Sequence, residues 1–163
     1  MTMAATKIGT EAIAVITGSF LSGTIMSLFL LTIPVITKNT SEGSHLVRQW
    51  SDIFHSGHRK GPGIAIATAV LYAFGAYKKN SAGQSYGVFL AAAATTVSMI
   101  PYTWVFMKRT NDALFAAEEN GKTDIYDASA LVQSWNRLNA IRALFPLAGA
   151  ILGMLGTTGL LSF

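Results

Sequence analysis

Four stretches of this chain carry no charged side chain: Ala12 to Thr37, Gly61 to Tyr77, Asn80 to Met107 and Ala143 to Phe163. A helix on the surface of a water-soluble protein keeps a polar face along its length. Uncharged runs this long therefore constrain the fold more than any other feature. A hydrocarbon core of ~30 Å takes about 20 helical residues at ~1.5 Å each. The first, third and fourth runs reach that length. The second is shorter, but Lys60, Lys78 and Lys79 at its flanks can snorkel and extend it. The expected spans are 12–36, 60–79, 84–107 and 143–162. The expected fold is all-α: an integral-membrane four-helix bundle in one domain covering 1–163, without internal repeats. The first run is too long for the ~7–15-residue apolar core of a signal peptide.

Composition agrees. Charged residues make up 12% and hydrophobic residues 51%, which excludes a disordered chain. The absence of cysteine excludes a disulfide scaffold, thiolate metal sites and a cysteine nucleophile. The net charge of +4 does not point to nucleic acid, because the basic residues scatter at span edges with no aromatic–basic stripe. Lys38, Arg48, Arg59 and Lys60 fall in the first loop. Lys108, Arg109, Lys122, Arg137 and Arg142 fall in the third, against Lys7, Lys78 and Lys79 on the other side. That bias puts both long loops in the cytoplasm.

Lipid gives helices no hydrophobic reason to associate, so close packing needs small residues. Ser19 with Gly23, Ala65 with Ala69 and Ala73, Gly87 with Ala91, and Gly149 with Gly153 are the expected seams. The same seams serve a compact bundle or a homo-oligomer. Pro101 should free a carbonyl near Val97 and bend the third span. Pro146 marks a bend or a first-turn position where the fourth span begins.

The loops carry their own helices. Leu46, Val47, Trp50, Ile53 and Phe54 share a face at helical spacing, with Arg48, Gln49 and Asp52 opposite. Ser44 is a candidate N-cap and Gly57 a stop. This is an amphipathic helix for the membrane interface, anchored by Trp50. In the third loop Asp124 or Asp127 can cap a second helix. It carries Leu131, Trp135, Leu138 and Arg142 along one side, with Asn139 one turn beyond Trp135.

Every four-span topology puts Trp50, His58, Arg109, Asn111, Trp135, Asn139 and Arg142 at one membrane face. Aromatic walls, a base and hydrogen-bond donors could converge there on an apolar cavity. His55 and His58, one helical turn apart, offer a general base or two ligands of a metal site. No third ligand stands out. The sequence has no Gly-rich phosphate loop, serine elbow, paired-carboxylate motif or HExxH, so hydrolase and kinase readings have no support.

Four segments, GSFLSGTIMSLFLLTIPV, RQWSDIFHSGHRKGP, IPYTWVFMKRTNDALF and LVQSWNRLNAIRALFPLAGAILG, in this order and spacing, resemble the fungal anthrone oxygenases, small membrane proteins of polyketide gene clusters. The resemblance runs through nearly the whole chain. It implies a monooxygenase that converts the central methylene of a tricyclic anthrone to an anthraquinone with O₂ as co-substrate. It also implies no flavin, haem or metal, and an endoplasmic reticulum or other endomembrane location. Deprotonation of the doubly benzylic carbon would give an electron-rich carbanion able to pass one electron to triplet O₂. For that reaction His58, with His55 as second choice, is the expected base. Arg109, Asn111 and Asn139 are the expected donors to the developing oxyanion. Trp50 and Trp135 would stack on the rings and relay an electron, and Asp112 or Arg142 would orient the others. Two alternatives stand beside this reading. One is a copper or iron oxidase using His55, His58 and Asp52. The other is a non-catalytic membrane carrier or scaffold, although the four charge-free runs hold no ionisable acid or base of the kind transport requires.

Overall fold

The structure, a computed structural model, describes residues 9–163; Lys7, counted above for orientation, lies outside them. Five helices account for most of the chain. We number them α1 (Thr10–Asn39), α2 (Gly43–Gly57), α3 (Lys60–Ser81), α4 (Gly87–Asn120) and α5 (Ile125–Thr157). The fold is all-α, as the charge-free runs require. α1, α4 and α5 are long and apolar enough to cross a membrane. α3 covers the shorter second run.

α1, α3, α4 and α5 form a ring in which α1 and α4 each touch both α3 and α5. Large apolar side chains point outward from all four, among them Phe20, Leu31, Val70, Phe74, Val105, Phe106, Leu144 and Ile151. The interior mixes small and weakly polar residues, among them Ala14, Gly18, Thr68, Ala92 and Thr96, with Leu21, Tyr72, Phe89 and Met99. An outer surface this apolar suits lipid, and the small residues let the backbones approach closely.

The seams correct the expected register in part. Gly149 and Gly153 do line the contact of α5. A Cβ on Gly149 would strike Thr96 and the Ala92 carbonyl, and one on Gly153 would strike the Tyr72 ring. In α1, however, Gly23 meets nothing and Ser19 is exposed, while Ala14, Gly18 and Ser22 face inward. In α3 the buried stripe is Ala65, Thr68, Tyr72 and Ala76 rather than Ala65, Ala69 and Ala73. In α4 it is Ala92 and Thr96 rather than Ala91. Both faces of these helices are apolar and both carry small residues, so composition alone does not fix the inward face.

The prolines act through the backbone. α4 is interrupted at Ser98, where Pro101 has no N–H for the Val97 carbonyl, and then opens into a π-turn at Thr103–Met107. A second π-turn, Leu28–Thr32, precedes Pro34 in α1, where Ile33 N–H reaches back to the Leu28 carbonyl. Pro146 lies inside α5, which runs through it unbroken, so it is not a first-turn residue. Pro146 has no N–H for the Arg142 carbonyl, and one residue on, Ser22 Oγ of α1 donates to the Ala143 carbonyl (2.9 Å).

Beyond their apolar stretches, the C-terminal half of α4 and the N-terminal half of α5 continue as a helical hairpin. Gly121, at φ 64°, turns the chain out of α4. Asp124 caps α5 by accepting from Tyr126 N–H (2.7 Å). α2 closes over this hairpin. Its predicted cap differs, since the helix begins at Gly43 and Ser44 donates to the Glu42 carboxylate instead. Gly43 packs so tightly on the Thr123 and Asp124 carbonyls that no side chain fits there. Leu46, Val47 and Trp50 of α2, Leu114 of α4, and Val132 and Trp135 of α5 form the core of this cap. The amphipathic face read from the sequence is thus buried against protein.

Candidate active site

A cavity of about 520 Å³ lies where the cap meets the bundle. Its residues follow from helical spacing. In α4, Trp104, Lys108, Asn111, Asp112 and Phe115 recur every three or four residues and form one stripe facing the cavity. From the α2–α3 side come Phe54, His58 and Pro62, again four apart. Met99, Ile100 and Thr103, around the break and π-turn of α4, line the part nearest the spans, and α5 contributes Arg142. The cavity is therefore apolar toward the spans and polar toward the loops.

His58 sits just past the end of α2. Its backbone N–H bonds to the Phe54 carbonyl (2.8 Å), and its ring lies parallel to the Phe54 ring at 5.5 Å. Its Nδ1 is 3.0 Å from the His55 carbonyl oxygen. A carbonyl only accepts, so in this bond Nδ1 carries the proton and Nε2 keeps a lone pair. That is the tautomer a general base needs. His55 does not line the cavity. Its ring stands 5.7 Å from that of His58, and its contact with His58 Nδ1 is made by the backbone.

Two buried polar atoms at the cavity have no partner: Asn111 Oδ1, an acceptor, and Arg142 Nε, a donor. Leaving such a group unpaired costs about 1–3 kcal/mol, which a ligand with a hydroxyl and an anionic oxygen would recover. Lys108 bonds Asp112 one turn away, so its ammonium is held at the rim. Tyr102 hydroxyl donates to the Leu138 carbonyl (3.3 Å) and ties α4 to α5 beneath the site.

Of the residues expected from sequence, His58, Asn111, Asp112 and Arg142 come together at the cavity. The others stand elsewhere. Arg109 is exposed and off the stripe. Asn139 is fully buried and gives its Nδ2 to the Ile25 carbonyl of α1 (3.5 Å). Trp50 and Trp135 are buried behind the wall, edge to face at 5.9 Å. Trp50 backs Phe54 and Phe115, at 5.4 and 5.1 Å. The aromatic rings that do line the cavity are Phe54, Trp104 and Phe115, and the basic residue at its rim is Lys108. Sequence reasoning missed these, although the spacing of 104, 108, 111 and 115 was there to be read. Among the described residues no three His, Asp or Glu side chains gather as a metal site, so Asp52 does not complete a ligand set with the two histidines.

Comparison with known proteins gives a consistent result. The family described as Anthrone oxygenase matches residues 50–152. A noranthrone monooxygenase of Aspergillus flavus is 52% identical over 96% of this chain and 77% of its own length. Monooxygenase hypC of Dothistroma septosporum is 51% identical over 96% of this chain and 86% of its own. Anthrone oxygenase AgnL2 of Paecilomyces divaricatus is 45% identical over 91% and 94%. No solved structure matches.

Proposed function

We propose, since the chain belongs to the anthrone oxygenase family, that it is an oxidoreductase converting a polyketide anthrone to an anthraquinone with O₂ in the cavity at the cap. The observation that carries this reading is the pairing of a lone pair on His58 Nε2 with the unsatisfied Asn111 Oδ1 and Arg142 Nε, above an apolar aromatic floor. A flat phenolic tricycle needs such a two-sided site.

The chemistry runs in four steps. His58 Nε2 takes a proton from the central methylene. The electron pair left behind delocalises through the rings onto the carbonyl oxygen, to which the peri-phenols hydrogen-bond, and Arg142 and Lys108 favour the negative charge there. The carbanion passes one electron to O₂, and the resulting radical and superoxide combine to form a carbon–oxygen bond. The peroxide takes up the proton held by His58 and loses water, which leaves the quinone carbonyl. One anthrone and one O₂ thus give one quinone and one water. The substrate supplies all four electrons that reduce O₂, so no resident redox group is needed.

The copper or iron alternative is not favoured, because the residues named for it do not assemble a ligand set. The carrier reading is not favoured because the relatives' names describe oxygenases. Four crossings, with α2 and the α4–α5 hairpin at the cytoplasmic face of the endoplasmic reticulum, fit the outward apolar surface of all four bundle helices and the clustering of Lys and Arg. The test is to incubate membranes holding this protein with emodin anthrone and O₂. Quinone formed above the spontaneous rate, undiminished by chelator, supports the proposal. A rate equal to that of empty membranes overturns it, and loss with chelator restores the metal alternative.

A further inference from the structure

On the far side of α5 from the oxidation site, a groove of about 420 Å³ lies between the C-terminal end of α1 and α5. Phe29, Ile33 and Pro34 supply its apolar part, and Lys38 and Arg137 stand beside it with no carboxylate among the lining residues. Among the described residues the one ion pair is Lys108–Asp112, so neither cation of the groove is neutralised. Two buried polar atoms in the groove also lack partners. Asn136 is only 7% exposed and uses its Nδ2 on the Phe29 carbonyl of the π-turn (3.4 Å), which leaves Oδ1 free; Thr37 Oγ1 is likewise unpaired. The π-turn opens α1 next to this wall. Leu30, four residues before Pro34, is 60% exposed and carries the apolar surface down toward the span.

We propose that this groove holds the headgroup of an anionic phospholipid of the hydroxyl-bearing, inositol class. The phosphate sits between Lys38 and Arg137, headgroup hydroxyls donate to Asn136 Oδ1 and Thr37 Oγ1, and the acyl chains follow Leu30 along the bundle. Basic recesses between helices at the membrane face suit such headgroups, and each cation near the surface contributes roughly a fivefold gain in affinity. The site rests on the membrane reading above and is independent of the oxidation chemistry.

The test uses the full chain purified in detergent. Native mass spectrometry reads the lipid adducts when phosphatidylinositol and phosphatidylcholine are supplied at equal concentration, and inositol phosphate without acyl chains is run in parallel. The expected result is a retained one-to-one phosphatidylinositol adduct, little phosphatidylcholine, and no comparable adduct with inositol phosphate. Lys38→Gln and Arg137→Gln should each weaken the adduct roughly fivefold, with the lipid-free unfolding temperature unchanged because both side chains are exposed. Equal retention of the two lipids by the wild-type chain overturns the proposal without touching the membrane reading. So does an unweakened adduct in the double variant. Equal binding of the soluble headgroup points to a free-anion site and overturns the lipid. A chain that does not float with vesicles overturns both readings together.

Discussion

Replacing His58 by alanine separates the proposed chemistry from the fold more cleanly than any other change. The ring is exposed and rests on the Phe54 and His55 rings, so its loss should shift stability by about 0.5 kcal/mol or less. Catalysis should respond quite differently. The bond from Nδ1 to the His55 carbonyl fixes the lone pair on Nε2, and His58→Ala removes the base and its orientation together. A positioned general base contributes about 10²–10⁴ in rate, or roughly 3–5 kcal/mol of barrier. The assay follows O₂ uptake and quinone absorbance with emodin anthrone, corrected for spontaneous oxidation. His55→Ala is the matched control. It keeps the carbonyl that orients His58, so most activity should remain, whereas added imidazole should restore part of the His58→Ala rate. If His58→Ala is folded and fully active, or if His55→Ala loses as much as His58→Ala, the assignment of the base is wrong.

Three further outcomes follow from the same geometry. Lys108→Ala should lower the rate by about tenfold or less, because its ammonium is mostly exposed and already paired with Asp112, while Arg109→Ala should leave quinone formation near wild type. Equal losses in the two would mean that the basic cluster acts by bulk charge. Gly149→Val should cost about 1–3 kcal/mol through overpacking against Thr96 and the Ala92 carbonyl, read as a lowered unfolding temperature in detergent. Trp50→Ala, at a fully buried position, should cost about 3–5 kcal/mol, with lost activity tracking lost fold; an unfolded-free variant with a purely catalytic defect would contradict its role as a backing residue.

The long apolar helices were legible because a charge-free run is visible in the sequence without any partner. α2 was legible because its apolar face follows a helical period set by one buried side. The seam of α1 was not, since Ser19 and Gly18 are equally small and only tertiary packing decides between them. The site was half legible. His58 and Arg142 are chemically conspicuous, and topology brings them to one face. Arg109 was expected as a donor to the oxyanion, yet a single helical step of about 100° carries it off the stripe that Lys108 shares with Asn111 and Phe115. Asn139 was read as a donor to substrate; α1 carries a π-turn just beyond Ile25, and the Asn139 amide reaches the Ile25 carbonyl there. No sequence pattern announces that demand.

Trp104 and Pro62, which line the cavity, stand near the ends of the charge-free runs of α4 and α3. Both reactants of the proposed oxidation are oil-soluble and can arrive from the bilayer without crossing water. The quantity that governs turnover is then the mole fraction of anthrone in the leaflet, not its molarity in the buffer. Adding inert lipid at fixed total substrate should slow the enzyme by surface dilution, and an apparent KM in bulk units should climb in step with the lipid supplied.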